Sequence, residues 1–344
     1  MPTAENVKTA ARGQRPRRRR RRMPVLIFIM LLLAAVIVFH ALQPIEDDGL
    51  PRSKGRWKDS KKVEAWKPGL LDIHHIQAGS SVSTYVVMPD GTTMLIDAGD
   101  VNVKATKSQW STMGPPLDSL DIKPPYPNSK QTPVGWIIKY MEEFWPNKLA
   151  LRKSLDYLLL THFHSDHFGD GTPLQSDRKM SPSGGYLLSG IPELESKINI
   201  KRIIDRGYPN YDVPVDLRSL KDTSIDNYLQ FVKEKENAIS FQQFQVGSTH
   251  QITMQKDPKA YDFQIRVIKS GLHVAAPYDP NLPKDASVPV EKIPGDVLSE
   301  NWHGNENTMS AAIGKECRSG ISDPMASSLC AHIYLFLSIL LSLL

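Results

Sequence analysis

The sequence predicts an α/β domain, with two sheets sandwiched between helices, preceded by an N-terminal transmembrane helix. Three observations carry that prediction. From about Leu71 onward, β-branched and apolar runs alternate with helix-periodic stretches. One strand-like run, Leu155–Thr161, feeds directly into the loop His162-Phe163-His164-Ser165-Asp166-His167. Far upstream, an apolar stretch from Pro24 to Leu42 has arginines before it and Glu46, Asp47 and Asp48 after it.

The apolar stretch is long enough to span. At about 1.5 Å per helical residue it reaches nearly 30 Å, the thickness of a hydrocarbon core. Basic residues on its N-terminal side place residues 1–23 in the cytoplasm as a basic tail. Residues 24–43 are then a retained signal anchor, and the chain is single-pass with its domain on the lumenal or extracellular side. A cleaved signal peptide is the rival reading, but its apolar region is shorter, about 7–15 residues. Arg15 and Arg17 through Arg22 hold seven positive charges, and without them the formal net charge falls from +5 to −2. A basic surface on the folded domain is therefore not implied, and direct nucleic-acid binding is unsupported. Beside a bilayer, the expected partner of the Arg15–Arg22 cluster is anionic membrane lipid. Cys317 and Cys330 are the two cysteines, too few for a disulfide framework.

Residues 44–70 are charged and contain proline, and read as a linker. Thr84–Met88 and Thr92–Ile96 flank Pro89-Asp90-Gly91, which predicts a hairpin whose second strand ends at Asp97. Residues 101–132 are rich in proline and polar groups and read as an irregular insertion. Trp136, Ile137, Tyr140, Met141 and Phe144 repeat at helical spacing across Pro133–Trp145, a pattern more often core packing than a cofactor site. The strand Leu155–Thr161 is nearly all apolar, as suits burial on both faces. Lys201–Asp205 predicts a short strand, and Thr223–Asp226 predicts the cap of a helix running to about Ile239. Residues 244–268 and 308–313 read as strands again.

The histidine loop carries the chemistry. Neutral imidazoles and carboxylates are the ligands that Zn²⁺ and similar ions accept. An extended segment alternates its faces, so His162 and His164 point the same way and can share one ion. Asp166 and His167 follow as the chain leaves the strand, placed to grip a second. Two ions about 3.5–4 Å apart can hold and ionise a water between them.

In its His-x-His-x-Asp-His signature, the chain resembles the metallo-β-lactamase fold superfamily of hydrolases. Thr93-Met94-Leu95-Ile96-Asp97-Ala98-Gly99-Asp100 looks like that family's strand ending in Asp-x-Gly. Val87–Gly91, Ile204–Pro209 and Asn305–Thr308 are similar to the branch containing the C-terminal domain of bacterial competence proteins. The resemblance implies a metallo-β-lactamase-like αββα sandwich over residues 71–314. It implies two ions, Zn²⁺ with Mn²⁺ or Fe as alternatives, on His162, His164, Asp166 and His167. Asp97 would lie beneath the ions without binding them, and Asp166 would orient the attacking hydroxide. The implied substrate is a phosphodiester or another small ester-type molecule.

The chain then departs from the family pattern. The family adds a later histidine, a bridging aspartate in a Gly-Asp turn and a final histidine; after Met309–Ile313 no Gly-Asp turn appears and the late histidine is missing from its expected place. The second half of the sandwich is thus expected to be incomplete, with an unpaired sheet edge. Residues 315–344 form an atypical hydrophobic tail. They read as a short tail anchor, a removable lipid-anchor signal or a spurious terminus, and the last is favoured. His273 and His303 are leftover ligand candidates, and Asp170, Asp205 and Asp323 are possible stand-ins for the missing carboxylate. A lone histidine is more often hydrogen-bonded or solvated than a ligand; His74 and His75 read that way, and His250 and His332 carry no signal. The expected function is a membrane-tethered, metal-dependent hydrolase. The alternative is a non-catalytic binding protein of the same fold that holds one ion or none.

Overall fold

The computed structural model describes residues 64–101, 125–147, 153–171, 178–213, 216–277, 288–292, 309–316 and 334–335. The basic tail, the expected membrane helix, most of the linker, His303, Asp323 and His332 lie outside these residues. Among the described residues, no helix is long and apolar enough to cross a membrane.

Three strands open the domain: β1 (Asp72–Gln77), β2 (Val82–Val87) and β3 (Thr93–Ile96). The turn between β2 and β3 forms where Pro-Asp-Gly predicts it. Gly91 takes a positive φ, its N–H donates to Met88 O, and Met88 N–H donates to Thr92 O. Helix α1 (Pro133–Glu143) starts at Thr132, whose hydroxyl accepts from Gly135 N–H, and it buries Trp136, Ile137 and Met141. Next come β4 (Ser154–Leu155), β5 (Tyr157–Leu159), the single turn α2 (Ser165–Phe168), α3 (Ile191–Lys197), β6 (Asn199–Ile200) and β7 (Arg202–Asp205). Helix α4 (Thr223–Lys235) is capped by Asp222, one residue before the predicted cap, whose Oδ1 accepts from Ser224 and Ile225 N–H. Strand β8 is Ser240–Gln243, β9 Gln264–Ser270, β10 His273–Ala275, β11 Val290–Lys292, β12 Ala312–Glu316 and β13 Tyr334–Leu335.

The first sheet has six strands in the order β1-β2-β3-β5-β7-β8. Its first three strands are antiparallel, and β3, β5, β7 and β8 run parallel. The second sheet is antiparallel with the order β11-β10-β9-β12-β13, and β4 and β6 form a parallel pair of their own. The predicted strand over 244–268 is thus confined to its last residues. Gly247 sits at φ +85, and Ile252 and Met254 bury their side chains from irregular backbone.

Side-chain alternation divides the core in two. Tyr85, Leu95, Leu158 and Ile203 face helices α1–α4, which bury Ile137, Phe168, Leu194, Tyr228 and Phe231 against them. Val86, Met94, Ile96, Leu159 and Ile204 face the second sheet, meeting Ile265, Val267 and Ile313. The central strands are apolar on both faces because both are covered. The architecture is mixed α/β with two facing sheets. The described helices all pack on one side, and among the described residues no helix covers the second sheet, so the outer layer of the expected αββα arrangement is not seen there. The expected open edge beside β12 instead carries β13, paired through Ile313↔Leu335 and Gly314↔Tyr334.

Candidate metal centre

Parallel pairing puts the C-terminal ends of β3, β5 and β7 side by side, the usual place for a site in an α/β sheet. Asp97, the histidine loop and Arg206 leave the sheet there. Asp97 adopts φ 60, a left-handed conformation that aspartate tolerates better than most residues. Its N–H is tied to Leu159 O at 2.9 Å. Its Oδ1 accepts from Thr161 N–H at 2.8 Å, and its Oδ2 accepts from the Thr161 hydroxyl at 2.8 Å and from His167 Nδ1 at 2.7 Å.

Thr161 extends this hold to a second imidazole. Its Oγ1 lies 3.0 Å from His162 Nδ1, so Asp97 orients His167 directly and His162 through a hydroxyl. Both rings then turn Nε2 outward. His164 leaves the strand in extended conformation and caps the α2 turn, with its carbonyl accepting from His167 and Phe168 N–H. That turn swings Asp166 and His167 beside the first two histidines, and the His162 and His167 ring centroids stand 4.0 Å apart. Gly99 lies against the turn so closely that a Cβ would overlap the Asp166 carbonyl.

The four side chains form two pairs. His162 Nε2 and His164 Nδ1 are 3.1 Å apart, and His167 Nε2 and Asp166 Oδ2 are 3.4 Å apart. Two Zn–ligand bonds of about 2.0–2.1 Å near the tetrahedral angle place their donor atoms roughly 3.3 Å apart. Each pair therefore has the spacing of two ligands on one ion, and the residues fit a dinuclear centre to that extent. Among the described residues, no group of three or more His, Cys, Asp or Glu forms a complete ligand set.

The electrostatics differ between the pairs. Burial, with His167 and His164 nearby, holds His162 well below the ordinary histidine range, so it stays neutral. Burial also works against charge on His167, but Asp166 and Asp97 outweigh it and raise that imidazole well above the range. Burial opposes ionisation of Asp166 too, and its histidine neighbours reverse this and keep the carboxyl ionised. His162 is fully buried, whereas 38% of the Asp166 side chain reaches solvent, so the site opens on the Asp166 side.

The other candidates sit elsewhere. Both Asp205 oxygens are occupied: Oδ1 accepts from Gly207 and Tyr208 N–H, and Oδ2 from the Tyr211 and Tyr228 hydroxyls. It is a folding anchor for the turn after β7, not a spare ligand. Asp170 is buried and accepts from Ser224 Oγ at 3.4 Å. His74 Nδ1 meets the Tyr140 hydroxyl, His75 Nδ1 meets Thr84 Oγ1, and His273 lies exposed on β10.

Sequence reasoning missed three supporting residues. Thr161 had a visible signal, since a hydroxyl residue immediately precedes the first histidine. Arg206, whose guanidinium carbon lies 5.0 Å over the Phe163 ring, had only its place after Asp205 as a clue. Arg178, bound to Asp100, had none.

Neither a protein-family model nor a curated protein matches the sequence. Among solved structures, the chain is similar to Zn²⁺-bound PqqB from Methylobacterium extorquens, at 14% identity and a TM-score of 0.25. The match covers 69% of this chain and 49% of that one, so the chain spans about half the length of the structure it matches.

Proposed function

We propose that this protein is a metal-dependent hydrolase of the metallo-β-lactamase type. The carrying observation is the pairing of donor atoms at ion-sharing distance, His162 Nε2 with His164 Nδ1 and Asp166 Oδ2 with His167 Nε2. In this reading the first pair holds one divalent cation and the second pair another, with zinc as the expected metal. Bound there, the metal supplies a water that ionises near neutral pH and a positive contact for the oxygen of the bond being cleaved.

The chain's own residues do the rest. Asp97 keeps a proton on His167 Nδ1, and with Thr161 on His162 Nδ1, so both rings offer Nε2. Asp166, exposed on one side, faces the approach of substrate and is placed to orient a nucleophilic water through its carboxylate. The substrate class is a phosphodiester or a related small ester, following the resemblance to the competence-protein branch. Residues 24–43 and the Arg15–Arg22 cluster would tether the enzyme to a membrane.

A second reading has one observation behind it. Each pair supplies two ligands, and no third joins either among the described residues. A protein holding one ion or none, without hydrolytic activity, is consistent with that count.

Elemental analysis of the full purified chain separates the two readings. Close to two zinc ions per chain, falling when His164→Ala is introduced together with loss of ester or phosphodiester hydrolysis, supports the enzyme. Hydrolysis that survives His164→Ala in a metal-loaded chain removes this assignment.

A further inference from the structure

Asp100 and Arg178 belong to neither ligand pair; Asp100 is buried, 1% exposed, and Arg178 is partly buried, with 10% of its side chain exposed. The guanidinium grips the carboxylate with two arms, Nε 2.9 Å from Oδ2 and Nη2 2.7 Å from Oδ1. A forked pair of this kind fixes orientation as well as distance. Ser189 Oγ donates to the same Oδ2 at 3.3 Å.

The backbone around Asp100 is bonded to the turn that carries Asp166 and His167. Its N–H donates to Ser165 O at 3.3 Å, and its carbonyl accepts from Asp170 N–H at 2.9 Å. Two residues earlier, Ala98 N–H donates to His167 O at 2.8 Å. Ser189 and Gly190 pack against the far end of the same turn, where a Cβ on Gly190 would overlap the Phe168 carbonyl. Helix α2 is thus held between two backbone segments, and the Asp100 carboxylate ties those segments together. Asp170 and Glu193 are further carboxylates acting on the guanidinium, so Arg178 keeps anionic neighbours when Asp100 is neutralised.

We infer that Arg178 is a positioning residue for the histidine turn. Through its fork to Asp100 it sets the pitch of α2, and with it the placement of Asp166 Oδ2 against His167 Nε2. The consequence for cation binding rests on the hydrolase reading above; the placement of His167 does not. Because His162 is tied to Asp97 through Thr161 and only His164 touches α2, through its capping carbonyl, the first pair should respond to Arg178 less than the second.

The test uses the full chain carrying Arg178→Met, Arg178→Lys or Asp100→Asn. Each variant is titrated with Co²⁺ as a coloured stand-in for zinc. Imidazole nitrogen resonances are recorded on the metal-free protein. Arg178→Met should weaken the cation at Asp166 and His167 by about tenfold or more, shift the His167 resonance, and weaken the cation at His162 and His164 less. Arg178→Lys, with one arm instead of a fork, should restore part of the loss. If Arg178→Met does not fold, Asp100→Asn carries the same expectation. An unchanged His167 resonance together with unchanged affinity overturns the inference. So does an equal loss at both pairs that Arg178→Lys does not relieve, which would make the pair merely structural. A wild-type chain that takes up no Co²⁺ defeats the hydrolase reading, and the His167 resonance in the variants then decides the role of Arg178 alone.

Discussion

At the two ends of the central strands, buried aspartates are held by different kinds of cation. Beyond the C-terminal end of β3, Asp97 is held by Thr161 and by His167. At the opposite end, just before β5, Asp156 is held by Lys201 Nζ at 2.7 Å, Lys256 Nζ at 2.9 Å and Thr93 N–H at 3.0 Å. Asp156 stays ionised: burial opposes that, but the two lysines and Thr93 outweigh it. Lysine keeps its charge across the physiological range, so the Asp156 end is a permanent clasp joining segments far apart in sequence. An imidazole can give its proton up, so the Asp97 end holds a charge that can be exchanged. One end is built to stay closed, and the other to accept a cation.

Neutralising each aspartate should separate the two roles, and the larger effect is expected at the histidine end. Asp97→Asn keeps a residue tolerant of positive φ but leaves His167 as a partly buried cation short of one partner, which costs about 3 kcal/mol. It should also lower zinc content, because neither Nε2 is then held outward. Denaturant unfolding and elemental analysis of the same sample check both outcomes. Asp156→Asn should cost less, about 2 kcal/mol, because the lysines it releases can reach water. Zinc content should not change. If Asp156→Asn lowered zinc as much as Asp97→Asn, the division between the two ends would be lost.

The same contrast should appear on acidification of the chelator-treated chain. The folded His162 titrates below its ordinary 6.5, so its contribution is present above pH 6.5 and is lost as pH falls toward the folded value. His167, raised in the fold, is protonated in both states below 6.5 and adds no slope there. The folded Asp156 titrates below its ordinary 3.8, so its contribution holds above 3.8 and is lost only as pH falls through the folded value. Stability should therefore decline in two separate windows. His162→Gln should make the first shallower, a window His74 shares, and Asp156→Asn the second, which Asp90 and Asp166 share, as read from unfolding midpoints against pH.

How much of this was legible in the sequence depended on how far apart the partners are in the chain. The ligand loop could be read because its donors fall within six residues and a strand's alternation settles which of them can pair. The hairpin leading to Asp97 was legible through its own turn residues. The contacts that orient those donors were not: Asp97 reaches Thr161 and His167 across more than sixty residues, and Asp100 reaches Arg178 across 78. Asp205 was one of three possible stand-in carboxylates, and of the groups that occupy it only the Tyr228 hydroxyl comes from far along the chain, on α4. The strand expected over 244–268 was misjudged because Ile252 and Met254 are buried by the facing sheet without strand pairing of their own.

The smallest expected effect probes the redundancy of the clasp. Lys201 and Lys256 both contact Asp156 Oδ1, and their side chains remain 51% and 45% exposed. Solvent screening limits what either contributes alone, and the other still neutralises the carboxylate. Lys201→Ala should therefore cost under about 1 kcal/mol. The double variant Lys201→Ala, Lys256→Ala leaves Asp156 buried with only Thr93 to hold it, so it should cost more than the two single changes summed. Simple additivity in that cycle would mean the lysines act as independent surface charges. The Asp156 end would then be no better clasped than any exposed ion pair.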